Sequence, residues 1–160
     1  MKQATRDKLL QLGARPLIAA MARRGLKNRV SRKLPVTDPF AGEACTTIEA
    51  CREGSVLLLE RPIARLPDRL RQRLAGVVTR RDLGGASLEA GDVILRDRDC
   101  LLTIPAALAE AVAEEAAEAI AFEDFTAEQV NQGGGVYGLH IPSGERARQA
   151  FAQWRKLKGR

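Results

Sequence analysis

Histidine occurs once, cysteine three times, and the aromatic residues of the 160-residue chain are four Phe, one Trp and one Tyr. Each scarcity excludes something. Cys45, Cys51 and Cys100 are odd in number and lack C-x-x-C spacing, which argues against a disulfide framework and fits a reducing compartment. With His140 they form the ligand set of a zinc site, but the spacing matches no zinc template. Cys100 also falls in an apolar run, where a free cysteine behaves as a small hydrophobe. No RNP-type aromatic strand and no zinc knuckle accompany the basic residues, so nucleic-acid binding finds no support beyond charge. No apolar run approaches the ~20 residues that a membrane helix needs. Met1–Gly13 carries charges at both ends of its only apolar patch, unlike a secretory signal. The expected compartment is the cytoplasm.

What the chain does have is 45% hydrophobic residues, enough for one ordinary core, and a single domain over residues 1–160 is the expectation. The net charge of +6 is unevenly spread. Met1–Lys33 holds 10 basic and 1 acidic residue, Leu101–Gly144 holds 7 acidic and no basic, and Glu145–Arg160 holds 6 basic and 1 acidic. The preferred reading sets the basic ends against the acidic segment, within one chain or between subunits.

Turn chemistry and strand periodicity agree best over Leu88–Pro105. Glu89-Ala90-Gly91-Asp92 is a turn with Gly91 at a positive φ, Val93-Ile94-Leu95 is a strand, and Asp97-Arg98-Asp99 reverses the chain. Cys100–Ile104 returns as a strand covered on both faces, with Pro105 opening a helix. A hairpin cannot stand alone, so the rest of the chain must supply a larger sheet and covering helices. Upstream, Thr5 caps a short helix that breaks at Gly13. Pro16 starts a second, with Leu17, Ile18 and Met21 on one face and Gly25 as its stop. Lys27–Thr37 reads as a loop or irregular edge, and Gly42–Gly54 lacks a clean period. Ser55–Leu59 and Gly76–Thr79 read as strands. Between them, Ile63, Leu66, Leu70 and Leu74 predict a basic amphipathic helix interrupted by Pro62 and Pro67.

From Ala106 to about Asn131, Leu108, Val112, Ala116 and Ile120 recur at helical spacing, and Phe122 and Phe125 are expected to anchor this long helix to the sheet. Gly133-Gly134-Gly135 stops it. Ser143 is expected to cap a last helix with Ala147, Ala150, Phe151, Trp154 and Leu157 on one face and a basic tail.

Gly133, Gly135 and Gly138 satisfy G-x-G-x-x-G, but they follow a helix and precede Pro142, so they read as a connection and not as a dinucleotide cradle. Arg81-Asp82 is more informative, because it follows a buried strand directly. A carboxylate there can hold a hard divalent cation, and an arginine beside it can take a substrate carboxylate bidentately.

Four segments resemble, in order, the RraA-like family, which contains the regulator of ribonuclease activity A and the class II 4-hydroxy-4-methyl-2-oxoglutarate aldolases. They are TRDKLLQLGARPLIAAMARRGLKN, IEACREGSVLLLE, LAGVVTRRD, and the run from Leu88 to the end of the chain. The resemblance implies an α/β fold with a central β-sheet core sandwiched by helices, of the swivelling β/α type. Helical extensions would lie at both ends, a hairpin over residues 1–33 and a C-terminal helix with its basic tail over 143–160. It implies a homotrimer or homohexamer, and a Mg²⁺- or Mn²⁺-dependent lyase, an aldolase or decarboxylase acting on small 2-oxo acids. Carried over by position, Arg81 would bind the substrate carboxylate and Asp82 would support the metal. The chain departs from the pattern where only Leu83–Ser87 separates the Arg-Asp from the final hairpin. It departs again at Gly85, which replaces an acidic residue, and between Glu60 and Gly76, which lacks a Gly-Asp helix start. These departures bear on catalysis more than on fold, and they keep a non-catalytic regulator of ribonuclease activity as the alternative.

Overall fold

The structure, a computed structural model, describes residues 1–32, 34, 37–98, 100–133 and 144–159. The chain divides into two compact units, Met1–Ala113 and Glu114–Arg160.

In the first unit, α1 (Gln3–Leu12) and α2 (Ala14–Arg23) form the expected helical pair. Gly13 separates them at φ 70°, a left-handed value that glycine adopts without strain. The first amide of α2 is satisfied from outside the helix, since Ala14 N donates to Asp97 Oδ2 at 2.7 Å. Two details differ from expectation. The N-cap of α1 is Lys2, without a side-chain cap, so Thr5 lies inside the helix, and Pro16 is the third residue of α2 and not its first. Leu9, Leu17, Ala20 and Met21 form the buried stripe of the pair.

The six strands are β1 (Val30–Ser31), β2 (Phe40–Cys45), β3 (Val56–Leu59), β4 (Gly76–Thr79), β5 (Val93–Asp97) and β6 (Cys100–Ile104), in the order β1-β6-β5-β2-β3-β4. The hairpin β5–β6 sits as expected, with Leu95 opposite Leu102, and Arg98 turns the chain at φ 48°. β1 pairs antiparallel with β6, and β2 pairs antiparallel with β5 and parallel with β3. β3 and β4 are parallel, from Val56 opposite Gly76 to Leu59 opposite Thr79. Because side chains alternate, β3 feeds two clusters. Val56 and Leu58 pack with Ala44, Val78, Ile94 and Leu101, while Leu57 packs with Cys45, Cys51, Leu66 and Leu70.

The unassigned stretch before Gly54 holds β2, a central strand built from FAGEAC. Its small residues carry little strand propensity, and it is a strand because both neighbours pair with it. The helix expected over Arg61–Leu74 is only α3 (Asp68–Arg73). Pro67 caps it, the preceding turn never forms, and Ile63 is left 49% exposed, while Leu66 and Leu70 are buried. Cys45 and Cys51 form a disulfide, against the expectation of none. The turn after β2 brings their Cα atoms to 5.5 Å, a closeness that sequence spacing does not reveal. Paired in this way, the two sulfurs are no thiolate ligands for zinc, and His140, Gly135 and Gly138 lie outside the described residues.

A largely buried charged pair, Arg29 with Asp92, lies in the first unit. Asp92 accepts from Arg29 Nη1 at 2.8 Å and from Glu89 N at 3.1 Å through Oδ2, and from Ala106 N at 3.3 Å through Oδ1. Arg29 Nη1 also donates to Ser87 O at 3.2 Å, and Thr103 Oγ1 donates to the same carbonyl at 2.6 Å. The pair thereby ties the segment before β1 to the turn before β5. Pro105 precedes a single 3₁₀ turn, Ala106–Leu108, which leads into α5 (Ala109–Asn131).

In the second unit, the later part of α5 is accompanied by α6 (Glu145–Lys158). Phe122 and Phe125, expected as anchors to the sheet, find their ring partners in α6. Phe122 lies edge-on to Phe151 at 5.3 Å, and Phe125 lies 5.5 Å from Phe151 and 5.9 Å from Trp154. These rings and Ala121 form a separate small core. Leu157 is 85% exposed, because its helical position has rotated roughly 120° past Phe151. The cap at Ser143 lies outside the described residues, and the N-cap is Gly144.

Trp154 Nε1 donates to Glu128 Oε2 at 2.8 Å, and Lys158 Nζ stands 3.1 Å from the same oxygen. The Trp154 hydrogen bond, assisted by Lys158, holds the Glu128 carboxyl below its ordinary value of 4.5. A carboxyl whose pKa is lowered on folding stabilises the fold fully above its ordinary value and loses that contribution as pH falls through the lower, folded value. Glu128→Gln should therefore flatten the acid side of the thermal stability profile below pH 4.5. Unchanged acid-side slopes in melts of the two proteins would rule out this coupling.

Candidate functional site

Parallel pairing of β3 with β4 brings the C-terminal ends of both strands to one edge of the sheet, and chain reversals at such ends are where α/β sheets present ligand-binding groups. Glu60-Arg61 follows β3, and α4 (Arg80–Leu83) follows β4. α4 is a single turn, too short to persist by itself, and its stability comes from its caps. Thr79 is the N-cap, and its hydroxyl accepts from Asp82 N at 3.4 Å. Asp82 Oδ2 in return accepts from Thr79 N and from Thr79 Oγ1, each at 2.8 Å. This reciprocal box closes the first turn. Gly84 ends it in the left-handed conformation at φ 57°, and Leu83, 2% exposed, anchors it in the cluster around Val56 and Leu58.

The two residues singled out in the sequence thus sit side by side in different states. Arg81 is exposed, and its guanidinium has no hydrogen-bond or ion-pair partner among the described residues. Arg61, after β3, is in the same condition. Arg80 donates from Nε to Glu60 Oε1 at 3.0 Å, linking the two chain reversals. Asp82 is partly buried, and both of its side-chain contacts fall on Oδ2, so Oδ1 is the oxygen left for a ligand. The edge is electropositive, with an anchored turn holding one carboxylate among Arg61, Arg80 and Arg81. Sequence reasoning missed Thr79, Glu60 and Arg80. The T-x-x-D spacing of Thr79 and Asp82 is a capping signature that would have found the first of them.

The resemblance implies a divalent cation at this edge. Among the described residues no group of three or more His, Cys, Asp or Glu side chains could hold a metal ion. A single carboxylate still suits Mg²⁺, which keeps several waters and completes its shell from substrate oxygens. Asp82 Oδ1 fits that role as a protein ligand from this edge.

No family model and no curated protein matches the chain. Solved structures do. RraAS2 of Streptomyces coelicolor, described as an unusual member of the RNase ES inhibitor RraA protein family, is 16% identical over 79% of this chain and 97% of its own, with a TM-score of 0.59. An uncharacterized protein from Pseudomonas syringae pv. tomato is 16% identical over 93% of this chain and 94% of its own, with a TM-score of 0.54. The chain has the RraA-like fold, a mixed α/β architecture with a six-stranded sheet and helical termini. No helix among the described residues is long and apolar enough to cross a membrane.

Proposed function

We propose that the chain is a divalent-metal-dependent lyase acting on small 2-oxo acids such as 4-hydroxy-4-methyl-2-oxoglutarate or oxaloacetate. The observation that carries this reading is the exposed Arg81, without a side-chain partner among the described residues, next in the chain to Asp82 at the shared C-terminal edge of β3 and β4. Arg81 takes the substrate carboxylate through two parallel N–H···O bonds, and Arg61 adds positive potential at the same edge. Asp82 supplies Oδ1 to Mg²⁺ or Mn²⁺, while Oδ2 stays committed to Thr79 and holds the carboxylate in place. When bound, the cation supplies Lewis acidity toward the negative charge that develops on the oxo acid. In this reading the protein is a cytoplasmic homotrimer or homohexamer. Cys45 and Cys51 would be kept there as thiols and are placed to pair on oxidation.

The test is pyruvate release from both substrates, with and without Mg²⁺ or Mn²⁺. Arg81→Gln removes a group with no folding role and should lower kcat/KM by about 10- to 100-fold, the loss of one charge-assisted contact worth roughly 1.5–3 kcal/mol. Asp82→Asn keeps an acceptor for Thr79 and should abolish the metal stimulation. A folded protein with no turnover beyond metal alone would remove the lyase reading.

A second reading, a non-catalytic protein-binding regulator of ribonuclease activity, is supported by the likeness to RraAS2 and by the exposed arginines 69, 71 and 73 on α3. Ribonuclease inhibition undiminished in Arg81→Gln and Asp82→Asn would favour it.

A further inference from the structure

At the opposite end of the parallel pair, before β3 begins, a cavity of about 170 Å³ lies between α1 and the turn leading into that strand. Two arginines are among the residues that line it, Arg6 from α1 and Arg52 from the turn. Neither side chain has a hydrogen-bond or ion-pair partner among the described residues, and Arg6 Nε is buried without one. A guanidinium without a partner in the chain keeps its donors for an oxyanion from outside it.

Local structure fixes the turn that carries Arg52 and leaves room for Arg6 beside it. Arg52 N donates to Ser55 Oγ at 3.0 Å, and Ser55 N donates back to Arg52 O at 3.1 Å, closing the turn that carries Arg52. The Cα atoms of Cys45 and Cys51 lie 5.5 Å apart, which seats the chain immediately before it against the end of β2. Gly54 stands at φ 76°, and a Cβ there would lie 2.6 Å from Arg6 Nη1, so only glycine leaves the Arg6 guanidinium its position. Glu43, paired with the Met1 amine, and the exposed Glu53 also line the cavity. Their negative charge disfavours a long polyanion and selects a small ligand with few charges.

We propose that this cavity is a binding site for a small oxyanion, the phosphoryl group of free phosphate or of a phosphorylated metabolite, held between Arg6 and Arg52. Two guanidinium groups complement a dianion, which sets phosphoryl above carboxylate. The site is independent of the lyase reading, because Arg81 lies at the other end of the parallel strands.

The experiment is calorimetric titration of the full chain with inorganic phosphate, glycerol 3-phosphate and acetate at constant ionic strength. Saturable phosphate binding with a Kd of about 1 mM or tighter is expected. Arg6→Gln and Arg52→Gln should each weaken it at least about tenfold, and Arg81→Gln should leave it unchanged. Glycerol 3-phosphate binding as well as phosphate would identify an esterified ligand, and phosphate alone would identify the free anion. Acetate binding as tightly as phosphate would overturn the phosphoryl assignment. Non-saturating heats, or phosphate binding abolished only by Arg81→Gln, would overturn the site. Should Arg6→Gln fail to fold, Arg52→Gln, at an exposed position, decides the outcome.

Discussion

Asp92→Ala should lower the unfolding free energy by about 3–5 kcal/mol, the cost of removing one member of a buried ion pair. The Asp92 and Arg29 side chains are 7% and 15% exposed, so neither charge is replaced by water when its partner goes. Asp92 also satisfies the amides of Glu89 and Ala106, which the substitution would orphan, and among the described residues Arg29 would keep the Ser87 carbonyl alone. Asp92→Asn keeps hydrogen-bonding capacity while removing the charge, and should cost less. Urea unfolding of the three proteins checks this, with the midpoint falling and the m-value unchanged. Pairing Asp92→Leu with Arg29→Met should restore part of the loss, because the double variant leaves no lone charge. Equal stability of Asp92→Ala and the native chain would mean that the pair does not organise the hairpin.

Gly42→Ala should cost about 3 kcal/mol, the upper range for forcing atoms into a closed site. Gly42 lies on β2 opposite Ile94, and its ideal Cβ would sit 2.2 Å from the Gly54 carbonyl oxygen. That atom is backbone in the turn entering β3, so no side-chain rotation relieves the clash, and β2 must separate from β3 locally. Because φ at Gly42 lies outside the left-handed region, the penalty is one of space and not of backbone conformation. Gly85, at φ 87° with open space around it, is the control, since alanine there meets only the backbone cost. A Gly42→Ala protein within about 1 kcal/mol of native stability would contradict the close approach.

Much of the fold was legible along the chain. Val93–Leu95 and Cys100–Ile104 were recognisable because turn residues bracket them, and the α1–α2 break because Gly13 interrupts an apolar stripe. β2 was not, because Ala41, Gly42 and Ala44 were placed for the fit against neighbouring strands and carry no periodic signal. The helix expected over Arg61–Leu74 shrank to Asp68–Arg73, since two prolines outweighed an apolar spacing of four. At the site, the Arg81-Asp82 pair was visible and its division of labour was not. Only the folded geometry shows that one oxygen of Asp82 is committed to Thr79 while Arg81 has no side-chain partner among the described residues.

By itself, the sequence determined the local elements, the uneven charge and the resemblance to RraA-like proteins, all of which depend on residues near one another along the chain. Tertiary structure alone decided which ends of the strands meet, that Asp92 pairs with Arg29, that Cys45 reaches Cys51, and that Arg6 and Arg52 face one cavity. The reason is physical. Helix and turn formation is governed by contacts within a few residues, whereas pairing of charges, closure of cavities and the space beside a glycine depend on segments that only the folded chain brings together.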